Sequence, residues 1–141
     1  MKVSKNFDLR EFIDPLTYQQ RGDKSIQLID DRIIILAQFV RDHFNAAVTI
    51  NDYWKGGHYF ESGLRRWDTT TGAELSQHKF GRAIDIKVEG IPPMNVRDEI
   101  RRNWGVFQAA GLTCIEKNTP TWTHLDCRYT GLDELLEIPY R

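Results

Sequence analysis

No stretch of this 141-residue chain reaches the roughly 18 consecutive apolar residues of a membrane span. The opening residues, Met1-Lys2-Val3-Ser4-Lys5-Asn6-Phe7-Asp8, lack the apolar run of a secretion signal. The expectation is a chain made in the cytoplasm and not exported by the general secretory route. Cysteine is scarce: there are only Cys114 and Cys127, and they fit no C-x-x-C spacing for metal or redox chemistry. Both lie in apolar, strand-like runs, so buried free thiols are expected, against a disulfide between neighbouring strands. Charge of either sign is not in excess. The 19 Lys and Arg nearly balance the 20 Asp and Glu, which implies no general polyanion-binding surface and no nucleic-acid partner. Internal repeats, low-complexity tracts and linkers are also missing, so residues 1–141 are read as one domain.

What is present is enough for a core. A chain of this size buries roughly 68–70% of its unfolded surface. Ile26, Ile29, Ile33, Leu36, Ala37, Val40 and Phe44 recur at spacings of three and four, which predicts a helix from about Ser25 to His43. Ala47 to Asn51 reads as a short strand. Tyr53 to Gly72 is rich in Gly, Ser and Thr, and a loop of that length in a compact domain is often a binding loop. Its Tyr53, Trp54 and Tyr59 either line a cleft or pin the loop to the core. Ala83 to Val88 alternates as a strand, ended by Pro92-Pro93. Asn95 is placed to cap a helix to about Asn103, and a helical turn from Val106 to Ala110 closes at Gly111. Leu112 to Glu116 and Thr121 to Cys127 form a predicted hairpin around Lys117-Asn118-Thr119-Pro120, and Leu132 to Glu137 a final helical turn. This order indicates an α+β fold.

The polar residues that stand out are two histidines and their neighbours. His78 and Asp85 lie seven positions apart with Gly81 between, where the backbone can turn sharply. Ala83 and Asp85 share a strand face, so a loop His and a strand Asp can converge. Some forty residues on, His124 and Asp126 share a face of their strand with Trp122. Two imidazoles and a carboxylate can fill three corners of a zinc tetrahedron and leave the fourth open, the pattern of catalytic rather than structural zinc. Spacing alone allows a second reading, a half-exposed strand with its polar residues toward water. His43, at a helix end, reads as a surface histidine facing the helix dipole. His58, in the Gly-rich loop, is open between a surface residue and a substrate contact.

Ser76-x-His78-x-x-Gly81-x-Ala83-x-Asp85 resembles the S-x-H-x-x-G-x-A-x-D signature of the zinc D-Ala-D-Ala peptidase family, with its spacing intact. That family includes carboxypeptidases and dipeptidases acting on D-Ala-D-Ala and phage L-alanyl-D-glutamate endopeptidases. Its fold is shared with the hedgehog signalling domain. His124-Leu125-Asp126 looks like the late-strand H-x-D block of one branch, and Ser62-Gly63-Leu64-Arg65 is similar to its upstream S-G-x-R segment. Asn6-Phe7-Asp8-Leu9-Arg10-Glu11-Phe12 resembles the N-F-x-x-x-E-F opening of small phage and bacterial members. The resemblance runs over nearly the whole chain.

The resemblance implies a hedgehog/DD-peptidase-like fold: a small antiparallel sheet with helices packed on one side. It implies Zn2+ held by His78, Asp85 and His124, with Ser76 supporting the site. Arg65 would hold a substrate carboxylate or polarise a carbonyl. Several members carry the catalytic carboxylate three residues before the last His, where this chain has Thr121. Hedgehog-like members carry a Glu at the end of the preceding strand, where Glu116 lies. Asp126 is the other candidate base, or else orients a ligand. The function implied is a zinc metallopeptidase acting on peptidoglycan peptides in the cell wall, phage-encoded if the resemblance extends to source. The alternative is a zinc-bearing binding or phage assembly module without catalysis, since fold does not settle function.

Overall fold

Asp8 and Glu11 begin the fold by capping each other's backbone across the short 3-10 turn Leu9–Glu11. The structure, a computed structural model, describes residues 1–140. Phe7, Leu9, Phe12 and Ile13 around that turn are buried in the main core, which no helical spacing announced. Asp14 then caps α1, Pro15–Arg21, with Pro at its first position.

The central helix starts later than its apolar spacing predicts. Residues Gly22–Leu28 wind as a 3-10 turn, and α2 spans Asp31–Phe44. The reason is local. Asp30 caps α2 through its carboxylate and pairs with the Arg32 guanidinium, while its own N–H is given to the Gly81 carbonyl at 3.0 Å. A residue bonded sideways in this way cannot carry a helix through from Ser25. The helix ends at Asn45, which takes the left-handed conformation.

Strands β1 (Val48–Thr49), β2 (Ala83–Val88), β3 (Cys114–Glu116), β4 (Thr123–Asp126) and β5 (Leu136–Ile138) form one sheet in the order β1-β2-β4-β3-β5. Helices α3 (Pro93–Arg102) and α4 (Trp104–Ala109) lie between β2 and β3 in the chain. Helix α3 begins at Pro93 rather than after Asn95, because proline's fixed φ already suits a first turn. The β3–β4 hairpin is antiparallel as predicted.

The chain's last element departs from expectation. Residues expected to make a helical turn instead end in β5, which runs parallel to β3. Leu136 N–H donates to Thr113 O at 3.0 Å and Lys117 N–H to Ile138 O at 2.9 Å. These bonds occupy an edge of β3 that would otherwise hold unpaired backbone groups. The sheet is therefore mixed rather than antiparallel, within an α+β fold.

The two sheet faces differ in chemistry. Ile84, Ile86, Val88, Ile115 and Leu125 enter the core, against which α2 and α3 pack. Each fully buried Ile or Leu contributes roughly 1.5–3 kcal/mol. The other face carries Asp85, His124 and Glu116. Asp85 lies opposite His124 in the β2–β4 register, and the Ile115–Leu125 pairing puts Glu116 at the next position across from His124. The three polar residues thus form a row across adjacent strands. Among the described residues, no helix is long and apolar enough to cross a membrane.

Candidate metal centre

His78 reaches this face from a 3-10 turn, Gln77–Phe80, built just before β2. Ser76 caps the turn, its hydroxyl oxygen accepting the His78 N–H at 3.2 Å. Gly81 ends it with φ at +68°. A Cβ there would stand 2.0 Å from the Leu28 carbonyl oxygen, so only glycine lets the turn press onto the start of the central helix region. Sharp reversal at Gly81 is what aims both His78 and Asp85 into one place.

Each imidazole has one nitrogen occupied and one turned inward. His78 Nδ1–H donates to the Gly63 carbonyl at 2.8 Å, which leaves Nε2 facing Asp85 Oδ1 at 3.3 Å. His124 is the reverse. Its Nε2–H donates to Asp126 Oδ2 at 2.7 Å, and its Nδ1 faces Asp85 Oδ1 at 3.0 Å. Fixing the tautomer through the outer nitrogen is how proteins prepare histidines for a metal. All three donor atoms lie within 4.8 Å of one another, and His78, Asp85 and His124 are all buried. Zinc ligands at about 2.0–2.1 Å stand roughly 3.3 Å apart in a tetrahedron. The donor types and the two short edges therefore fit a zinc-sized cation.

The remaining expected residues take distinct places. Arg65 Nη2 donates to Asp85 Oδ2 at 3.0 Å and its Nε to Glu61 O at 2.9 Å, so the guanidinium holds the outer oxygen of Asp85. Glu116 Oε1 is 3.4 Å from His124 Nδ1, and the side chain faces the cavity. Asp126 is fully buried and does not line the cavity. Its two oxygens are gripped by the Arg128 guanidinium at 2.6–3.1 Å, and Oδ2 also by His124. That geometry suits orienting His124, not taking a proton from a reacting molecule. Arg128 was not singled out from the sequence, although it continues the alternation His124, Asp126, Arg128 on one side of the chain.

The electrostatics reflect this packing. Burial works to raise the Asp85 carboxyl, but the charges and hydrogen bonds of His78 and His124 outweigh it and hold it well below the usual range. Burial works to lower the His124 imidazole, but hydrogen bonds to Asp126 and Asp85, with their charges, push it up to about 9. Burial also raises Glu116, against the pull of His124. The inward nitrogen of His124 therefore holds a proton more tightly than a free imidazole, and a cation bound there competes with that proton.

A pH dependence follows. The raised His124 adds stability that is complete below its unfolded value of about 6.5 and is lost as pH rises through about 9. Zinc needs that proton gone, so its affinity rises across the same window. The metal-free Tm is expected to fall from pH 6.5 to 9 while the stabilisation by added zinc grows. Thermal scans with and without zinc at several pH values measure both. A flat metal-free Tm with pH-independent zinc stabilisation would contradict the His124 assignment.

The triad lines a cavity of about 840 Å³ together with Arg65, Arg128, Leu75, Trp122, Ile138 and Tyr140. The long loop contributes Arg65 and Gly72 to it. Its aromatics instead hold the loop down. Tyr53 Oη–H donates to Ile13 O, Trp54 stacks beneath Arg10, and Tyr59 lies under Lys87. His58 is exposed and does not line the cavity. His43 pairs with Glu99 on α3 at 2.7 Å, a side-chain partner in place of the expected helix dipole alone. Cys114 and Cys127 are buried free thiols. In comparisons with protein-family models, curated proteins and solved structures, the chain has no match.

Proposed function

We propose that the protein is a zinc metallopeptidase that hydrolyses a peptide bond in the stem peptides or cross-links of peptidoglycan. One observation carries the proposal: two tautomer-fixed histidines and an aspartate converge in the lining of a large cavity with Glu116 beside them. The signature around His78 and Asp85 adds the substrate class, the hedgehog/DD-peptidase-like fold and an action on the cell wall, each as part of this reading.

His78 Nε2, Asp85 Oδ1 and His124 Nδ1 would hold the zinc, which would supply Lewis acidity and lower the pKa of a water toward neutral pH. Glu116 faces that space and accepts the proton of the attacking water, then returns it to the leaving amine. Its burial-raised carboxyl suits both halves of that task. Arg65, anchored on Asp85, keeps guanidinium N–H groups for the negative charge that develops on the substrate carbonyl oxygen. Asp126, clamped by Arg128, keeps the His124 ring from rotating.

The test is direct. The zinc-loaded chain, incubated with purified peptidoglycan, is expected to release new amino groups that mass spectrometry assigns to one peptide bond. Zinc at about one per chain with no cleavage would favour the binding-module alternative. Arg65→Lys keeps the charge but loses the two-pronged geometry. It is expected to lower kcat/KM by about tenfold or more while Tm changes little. Unchanged kcat/KM would make Arg65 a structural anchor only.

A further inference from the structure

Arg128 lies just past the end of β4, continues the His124 and Asp126 side of the chain and lines the cavity. Only one edge of its guanidinium is occupied. Nε–H and one N–H of Nη2 grip the Asp126 carboxylate. Nη1 makes no hydrogen bond among the described residues. The buried side-chain atoms without a partner are Trp54 Nε1, Gln77 Oε1 and Arg82 Nε, so the unpaired Nη1 of Arg128 is open to solvent. Asp126 is fully buried and outside the cavity lining, whereas the Arg128 side chain is 25% exposed. The guanidinium is thus clamped from behind, and its free edge, made by Nη1 and the remaining N–H of Nη2, turns away from Asp126. The backbone is held as well. Arg128 N–H donates to Asp126 Oδ1 at 3.2 Å, and Thr113 Oγ1–H to Arg128 O at 2.6 Å. A fixed fork with one free edge is the geometry that takes a further carboxylate through parallel N–H bonds.

We infer that Arg128 is a specificity residue that binds a carboxylate of the substrate at a short distance from the bond to be cleaved. This rests on the peptidase reading above. Arg65 and Arg128 are the Lys or Arg side chains that line the cavity, and their anchors give them different reach. Arg65 bonds Asp85 of the metal set directly, which keeps it at the reacting carbonyl. Arg128 stands one step further out, since Asp126 and the ring of His124 lie between it and the inward Nδ1. A group bound there belongs to a neighbouring part of the peptide. Glu116, beside the metal set, repels a carboxylate, which leaves the Arg128 fork as the place that accepts one. A stem pentapeptide offers a carboxylate in either of two places. One is its C-terminus. The other is the α-carboxyl of its D-glutamyl residue, which is linked onward through the γ-carboxyl. Both present the same planar pair of oxygens to the fork.

The test compares three peptides at saturating zinc: L-alanyl-γ-D-glutamyl-L-lysyl-D-alanyl-D-alanine, its C-terminal carboxamide, and its D-isoglutaminyl form, in which the α-carboxylate is an amide. One of the two amides is expected to lower kcat/KM about tenfold or more, mostly through KM, and which one does so identifies the carboxylate. In Arg128→Gln that ratio is expected to fall to about one. Loss of the Asp126 clamp slows all three peptides alike and leaves the ratio unmoved, so the ratio separates binding of the carboxylate from support of His124. Arg128→Lys keeps the charge without the fork and is expected to hold only part of the preference. If Arg128→Gln does not fold, Arg128→Lys carries the comparison, and an undiminished ratio there overturns the inference. Equal rates on all three peptides in the wild type overturn it while leaving the peptidase reading intact. A preference lost in Arg65→Lys but kept in Arg128→Gln also overturns it and gives the carboxylate to Arg65. A wild-type chain that cleaves none of the three removes the peptidase reading, and this inference with it.

Discussion

Glu116→Gln is expected to retain zinc and lose at least ~100-fold in kcat, the lower scale of general acid–base assistance. The substitution nearly preserves size and removes only the proton acceptor. Glu116 faces the cavity 3.4 Å from the inward nitrogen of His124, so it stands beside the metal set without belonging to it. The same geometry separates it from Asp126. Asp126→Asn leaves Arg128 without its carboxylate partner and weakens the hold on His124, so its loss should be partly in zinc affinity, commonly ~10–100-fold for such outer supports. Rates measured at saturating zinc distinguish the two. A fully active Glu116→Gln chain would move the base elsewhere. If both variants kept full activity, the peptidase reading would give way to the binding module.

The second large effect is on the metal itself. His78→Ala should reduce bound zinc from about one per chain to near none after dialysis, because two remaining protein ligands make a weak site. Elemental analysis measures this, and full zinc in the variant would overturn the ligand set. The fold is expected to persist. The core of Ile33, Leu36, Ile84, Ile86 and Leu125 lies on the far face of the sheet and needs no cation. Loss of His78 also frees the Gly63 carbonyl from its partner, a local cost of about 1–3 kcal/mol that lowers Tm without unfolding the chain.

The sequence alone determined what depends on near neighbours. Spacing of three and four built most of α2, because a helix repeats its face within one turn. The alternation of Ala83 to Val88 and of Thr123 to Asp126 assigned His124, Asp126 and Asp85 to their strand faces. Gly81 between His78 and Asp85 marked the turn that aims them together. Tertiary structure decided the rest, because its causes lie far apart in the chain. His124 and Asp85 are 39 residues apart in the sequence and meet only through the β2–β4 register. Burial of Ile84 and Leu125 sets that register, since a slip of one residue would turn the polar row into the core. The placing of Glu116 toward the cavity and the clamping of Asp126 by Arg128 depend on which strand lies beside β4. The last strand joined the sheet for the same reason: its local pattern is weak, and the open edge of β3 offered its backbone partners.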